Sequence, residues 1–198
     1  MGWHERSWAV LDTETSGFKS TARILELGVV AFEMGRPVRR WSSLVCPPDL
    51  EWDHPDVVGA FKVNGLSKEK LQGAPRFEDV VHQLLVELDA AVWVAHNHAF
   101  DQRMLMQEFT RCQITPRVPD FRICTLDLAR KFVNGATGNK LEEVAARFGV
   151  PLTGAHRAVA DAEACGNILA AMVRGGYVPT DDMAMQQLCK SLASTKRR

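Results

Sequence analysis

The sequence has no long hydrophobic run, no surplus of either charge and no paired-cysteine pattern. Nowhere does it approach the ~20 consecutive apolar residues that span a bilayer, so no membrane segment is expected. Residues 1–7 lack a basic region followed by an apolar run, and no secretory signal is expected. Arg6 stands where a myristoylation motif needs Ser or Thr. The five cysteines (Cys46, Cys112, Cys124, Cys165 and Cys189) are odd in number and contain no C-x-x-C pair. That argues against a disulfide framework and a zinc ribbon, and for free thiols in a reducing cytoplasm. P-loop and G-x-G-x-x-G signatures are missing, which leaves a generic nucleotide binder unsupported. Lys and Arg number 24 and Asp and Glu 24, giving zero formal net charge. A sequence-independent nucleic-acid coat protein would be basic. Composition alone therefore does not favour nucleic acid, although a neutral total can hide a local patch.

What is present suits one domain with a real core: 198 residues, 46% of them hydrophobic. Residues 7–12, 24–32 and 38–46 read as three strands, with turns at Gly17 and at Gly35-Arg36-Pro37, and their close spacing predicts an antiparallel meander. A Pro-rich stretch runs from Pro47 to Pro55. Residues 77–90 carry Val80, Val81, Leu84, Leu85 and Leu88 at helical spacing, and 91–95 is a brief apolar run suited to a buried parallel strand. Helices are expected over 99–111, 140–148 and 157–174, and 122–133 reads as a strand followed by a short helix. Strands first as a meander and then alternating with helices predict an α/β fold, a mixed sheet flanked by helices. The domain is expected over 1–178. Residues 179–198 form a tail or docked extension, with Lys196, Arg197 and Arg198 read as a solvated basic end.

Three segments place carboxylates where apolar residues would be expected. In Asp12-Thr-Glu14, an extended backbone puts both acids on the side shared by Trp8 and Val10. In His96-Asn-His-Ala-Phe-Asp101, Asp101 shares a helix face with Leu105 and Phe109, while Asn97 is the better-placed cap. In His156-Arg-Ala-Val-Ala-Asp161, Asp161 lines up with Cys165, Ile168 and Met172, and His156 is expected on the loop entering that helix. Taken alone, each has an ordinary explanation as a turn or cap residue. Together, four carboxylates aimed at a core need cations between them. Hard oxygen ligands select Mg²⁺ or Mn²⁺, and two such ions match the four negative charges.

The segments LDTETSG, HNHAFDQRML and HRAVADAEA resemble, in order, the three motifs of the DEDDh 3′→5′ exonucleases. Similarity to the bacterial DNA polymerase III epsilon-subunit and related proofreading domains extends through ILELGVV, KVNGLSKEKLQGAPRFEDV and LEEVAARFGVP, about residues 7–175. The resemblance implies an RNase H-like fold with a five-stranded mixed sheet. It implies Asp12, Glu14, Asp101 and Asp161 as metal ligands and His156 as general base. It further implies a single-stranded DNA 3′ end as substrate, with Asn64 and Leu66 near the terminal nucleotide, Phe100 packing on it, and Thr15 and Asn97 positioning it. Cys124-Thr125 stands where many relatives have Asp-Thr, at a position that is not a core ligand. RNase T and oligoribonuclease resemble the same motifs and act on RNA, so RNA stays open. So do a silent end-binding scaffold and a DNA polymerase subunit as partner. Glu26, inside an apolar strand, has no assigned role.

Overall fold

In the computed structural model, which describes residues 2–133 and 138–195, strands β1 (Trp8–Thr15), β2 (Ile24–Glu33) and β3 (Arg36–Leu44) form the antiparallel meander. Strands β4 (Val92–Ala95) and β5 (Arg122–Cys124) add to it in parallel, giving one mixed five-stranded sheet of order β3-β2-β1-β4-β5. The third strand begins earlier than its apolar pattern indicates. Met34 (φ 50°) and Gly35 (φ 70°) close a two-residue hairpin, a geometry that needs positive φ at both positions. Arg36 can therefore pair at once. Pro37 is tolerated because β3 is an edge strand and the register shifts between Ala31 and Phe32, opposite it.

Helices cover both faces. Trp8 and Val10 enter a cluster with Val30, Phe32, Ile168, Leu169 and Met172, while Ala9 and Leu11 enter another with Phe77, Leu84, Leu105 and Phe109. This two-sided burial explains why β1 reads as a nearly continuous apolar run. Helices α3 (Phe77–Glu87) and α4 (His98–Arg111) lie on the second cluster. Helices α5 (Thr125–Phe132), α6 (Leu141–Arg147) and α7 (Ala158–Arg174) lie on the first.

Two helices precede α3 in a segment that carries no clear periodicity: α1 (Pro55–Asn64) and α2 (Lys68–Leu71). Pro55 begins α1, where its missing N–H is no loss. His54 Nδ1 accepts from the Asp56 N–H at 3.2 Å, and Gly65 (φ 65°) ends the helix in the left-handed region. Residues 182–195 form a further helix, α8 (Asp182–Thr195), and its Met185 is fully buried in the first cluster. The N-terminal segment packs against the start of this region: Trp3 Nε1 donates to the Pro179 carbonyl at 2.8 Å and Arg6 pairs with Asp182. Lys196, Arg197 and Arg198 lie outside the described residues. Among the described residues, no helix is long and apolar enough to cross a membrane.

Candidate active site

Strand β1 does not stop before its carboxylates. It runs through Thr15, with Asp12 opposite Gly28 and Glu14 opposite Glu26 on β2. Both acids therefore lie on the β1 side that carries Trp8 and Val10, the side covered by α7, which packs across β1 and β2. Gly28 sets the depth of that packing. A β-carbon there would overlap the backbone of Ala158 and Val159, so only glycine lets the start of α7 sit this close to the sheet.

The remaining ligand candidates come from the first turns of two helices. Asp101, on α4, is 2% exposed and accepts from Thr13 twice, from its N–H at 3.1 Å and its hydroxyl at 2.9 Å. Strand β1 thus supplies two carboxylates on one side and orients a third from the other. Asp161, on α7, is 8% exposed. Its Oδ2 accepts from the His156 N–H at 3.1 Å, whereas its buried Oδ1 has no partner among the described residues. His156 itself is exposed, on the loop before α7, with a left-handed backbone (φ 64°). Glu14, His156 and Asp161 each present an atom able to bind a cation, all within 4.8 Å of one another.

The electrostatics have one direction. Burial pushes Asp12 well above the ordinary carboxylate range, and Asp101, Asp161, Glu14 and Glu26 push it further. Burial, then Asp161 and Glu26, raise Glu14 to about 7. Burial raises Asp101 to about 7 despite its bonds from Thr13. Asp161 is also raised, by burial first, with the His156 N–H opposing. Without a cation the cluster holds protons it would otherwise lose. These oxygen-rich donors, with an unpartnered Asp161 Oδ1 beside them, fit a divalent metal ion.

A pH effect follows. Folded and metal-free, Glu14 and Asp101 keep protons up to about pH 7, while in an unfolded chain they lose them at about pH 4. The folded state binds more protons between those values, so these groups cost stability progressively as pH rises through that window. A divalent cation must displace the same protons, so its affinity rises there. The gain in melting temperature on adding Mn²⁺ should be small at pH 5 and several degrees at pH 8. Equal gains at both would contradict the metal assignment.

The residues expected near a substrate fall into two groups. Thr15 is buried and its hydroxyl donates to the Gly17 carbonyl at 2.8 Å. Asn64 donates to the Thr15 carbonyl at 3.4 Å and accepts from the Leu66 N–H at 3.0 Å, tying its loop to the end of β1. Leu66 is 5% exposed, packed in a third cluster with Leu25 and Leu71. Asn97 and Phe100 belong instead to the start of α4. Asn97 is exposed and left-handed (φ 77°), and its side chain makes no capping bond, contrary to expectation, because a cap works from an extended backbone. Phe100 is half-buried against Phe18 (ring centroids 5.8 Å apart), with the Arg103 guanidinium 5.3 Å from its ring centre.

Sequence reasoning missed Phe18, which is 83% exposed beside this site. An aromatic directly after the glycine of the first motif was the available signal. It also missed the partner of Glu26. That carboxylate is 1% exposed and accepts from Arg157 Nε at 3.0 and 3.3 Å.

Comparison with known proteins identifies the family. The family model described as Exonuclease (RNase_T) matches residues 9–169. The DNA polymerase III subunit epsilon of Treponema pallidum (strain Nichols) is 32% identical over 177 residues, covering 86% of this chain and 78% of that protein. The PolC-type DNA polymerase III of Halalkalibacterium halodurans is 28% identical over 171 residues, 86% of this chain but only 12% of that much longer protein. Among solved structures, the nuclease domain of 3′hExo, a DEDDh family member bound to rAMP, superposes with a TM-score of 0.72 at 12% identity, covering 89% of this chain and 96% of that one. At that identity the likeness is one of fold, and it is the RNase H-like fold expected from the motifs.

Proposed function

Because the chain belongs to the exonuclease family, we propose that it hydrolyses single-stranded DNA from the 3′ end, releasing nucleoside 5′-monophosphates with two Mg²⁺ or Mn²⁺ ions. The observation that carries this reading is the cluster of Glu14, Asp161 and the exposed His156 within 4.8 Å, with an Asp161 Oδ1 that has no partner among the described residues and with Asp12 repelled by Glu14, Asp101 and Asp161 together. Asp12, Glu14, Asp101 and Asp161 would hold the cations, and Thr13 keeps Asp101 in place. Bound divalent ions in such a centre acidify water and neutralise charge on the leaving oxygen. His156 takes the proton from the attacking water, a task suited to an imidazole nitrogen within reach of the cluster. Its exposed loop position leaves the ring open to solvent. Thr15, Asn64, Leu66, Asn97 and Phe100 bind the terminal nucleotide.

The preference for DNA rests on the likeness to an epsilon subunit. The same likeness supports a role in DNA replication or repair, in the cytoplasm, with a DNA polymerase subunit as partner. Equal amounts of a DNA and an RNA strand of one sequence, each 5′-labelled, test the substrate. Faster loss of DNA is expected, and faster loss of RNA would move the assignment to the RNA-trimming branch. His156→Ala should lower turnover by roughly 10²–10⁴-fold, the usual worth of a general base, while Mn²⁺ binding measured by calorimetry and strand affinity persist. Near-normal turnover in that variant would remove the general-base role.

A further inference from the structure

Glu26 is a buried carboxylate on a strand that supplies no ligand candidate. It faces Glu14 across the β1–β2 pair and adds to the repulsion felt by Asp12, Glu14 and Asp161. A charge so placed is unfavourable unless it is paired. Its partner, Arg157, directly follows His156, and the two meet 131 positions apart in sequence. Arg157 is also the residue that caps α7, with extended backbone (φ −121°, ψ 116°) and no side-chain capping bond, and its Nε donates to Glu26.

The loop before α7 has little else to hold it. Residues 153–157 are all exposed, and His156 sits in a left-handed conformation that is uncommon for a residue with a β-carbon. Two side-chain ties flank that conformation: the His156 N–H on Asp161, and Arg157 on Glu26. The first ends on a carboxylate that a cation would also claim. The second ends on a strand that supplies none of the candidate ligands. We propose that Glu26 and Arg157 are a positioning pair that fixes the His156 imidazole over the carboxylate cluster. This rests on the exonuclease reading of the site. Neither residue touches the reacting atoms, and each acts through His156.

The test uses Glu26→Gln, which keeps shape and loses charge, and Arg157→Gln, each made in the wild-type chain and with His156→Ala. Turnover and KM are measured on a 5′-labelled DNA strand with Mn²⁺, in single-turnover format for the slow variants. Glu26→Gln and Arg157→Gln should each lower kcat about tenfold, within the range that small misplacements of a reacting group produce, with KM little changed. The double variant should be no slower than either single one, and Arg157→Lys should recover part of the loss. With His156→Ala, neither substitution should slow the residual reaction further. An unchanged kcat, or an equal tenfold loss in the His156→Ala background, would overturn the positioning role, the latter by showing that the pair acts on the cluster or the fold instead. If Glu26→Gln does not fold, the Arg157 variants decide, since that side chain is 57% exposed. Full turnover by His156→Ala alone would strike the general-base reading and this inference with it. A slow His156→Ala beside a normal Glu26→Gln would strike only the inference.

Discussion

Asp161→Asn is expected to lower turnover by roughly 10³-fold, about 4 kcal/mol of barrier, and at the same time to stabilise the metal-free protein. Both effects come from one arrangement. Asp161 is buried beside other carboxylates, and its Oδ1 has no partner among the described residues. Asn keeps the shape and still offers one oxygen to the His156 N–H, so the loop tie survives. What it removes is a negative charge whose repulsion helps to raise Asp12 and Glu14. Without a cation that charge is a burden, and with one it is a ligand. Relief of the order of 1 kcal/mol would raise the metal-free melting temperature by about 2–4 °C in a chain of this size. The stabilisation by Mn²⁺ should shrink together with the activity. A variant that lost activity and also melted lower without metal would mean that Asp161 serves the fold rather than a cation.

Gly28→Ala is expected to be damaging out of proportion to its single added carbon. The new β-carbon would overlap the backbone at Ala158 and Val159, which cannot rotate away, so α7 must lift from the sheet. Overpacking of this kind costs about 1–3 kcal/mol. The lifted segment carries His156 and Asp161, and a displacement near 1 Å at reacting groups can cost roughly 10²-fold in rate. Gly166→Ala is the informative comparison. It lies further along the same helix, and its added carbon would meet the ring of Phe32, a side chain rather than the backbone of the helix start. That variant should lose stability but keep most of its turnover. Comparable turnover losses in the two variants would show that general loosening, not placement of the helix start, limits activity.

Much of the fold and the placement of the candidate ligands was readable because it obeys short-range periodicity. Alternation in β1 put Asp12 and Glu14 on the face of Trp8 and Val10, and i, i+4 spacing put Asp101 with Leu105 and Asp161 with Cys165, and all of these alignments recur in the packing. Burial without a local partner was also visible, since Glu26 stood out in an apolar strand. Its answering cation was not, because Arg157 is brought there only by the crossover of α7 over the sheet, which no local pattern encodes. Helix α1 was hidden for another reason: its apolar residues are spread around its circumference, so capping by His54, Pro55 and Gly65 defines it better than periodicity. The meaning of Gly28 was within reach, since a glycine inside a strand marks a close approach of another backbone.

The most direct test is to incubate a 5′-labelled DNA strand with the protein and Mn²⁺, in parallel with a sample stripped of metal by EDTA and with Asp161→Asn. The expected result is a ladder shortening one nucleotide at a time from the 3′ end, seen only with wild-type protein and cation. No shortening in any divalent cation, or shortening that continues undiminished in Asp161→Asn, would contradict the assignment of these carboxylates as the centre of a metal-dependent 3′→5′ exonuclease.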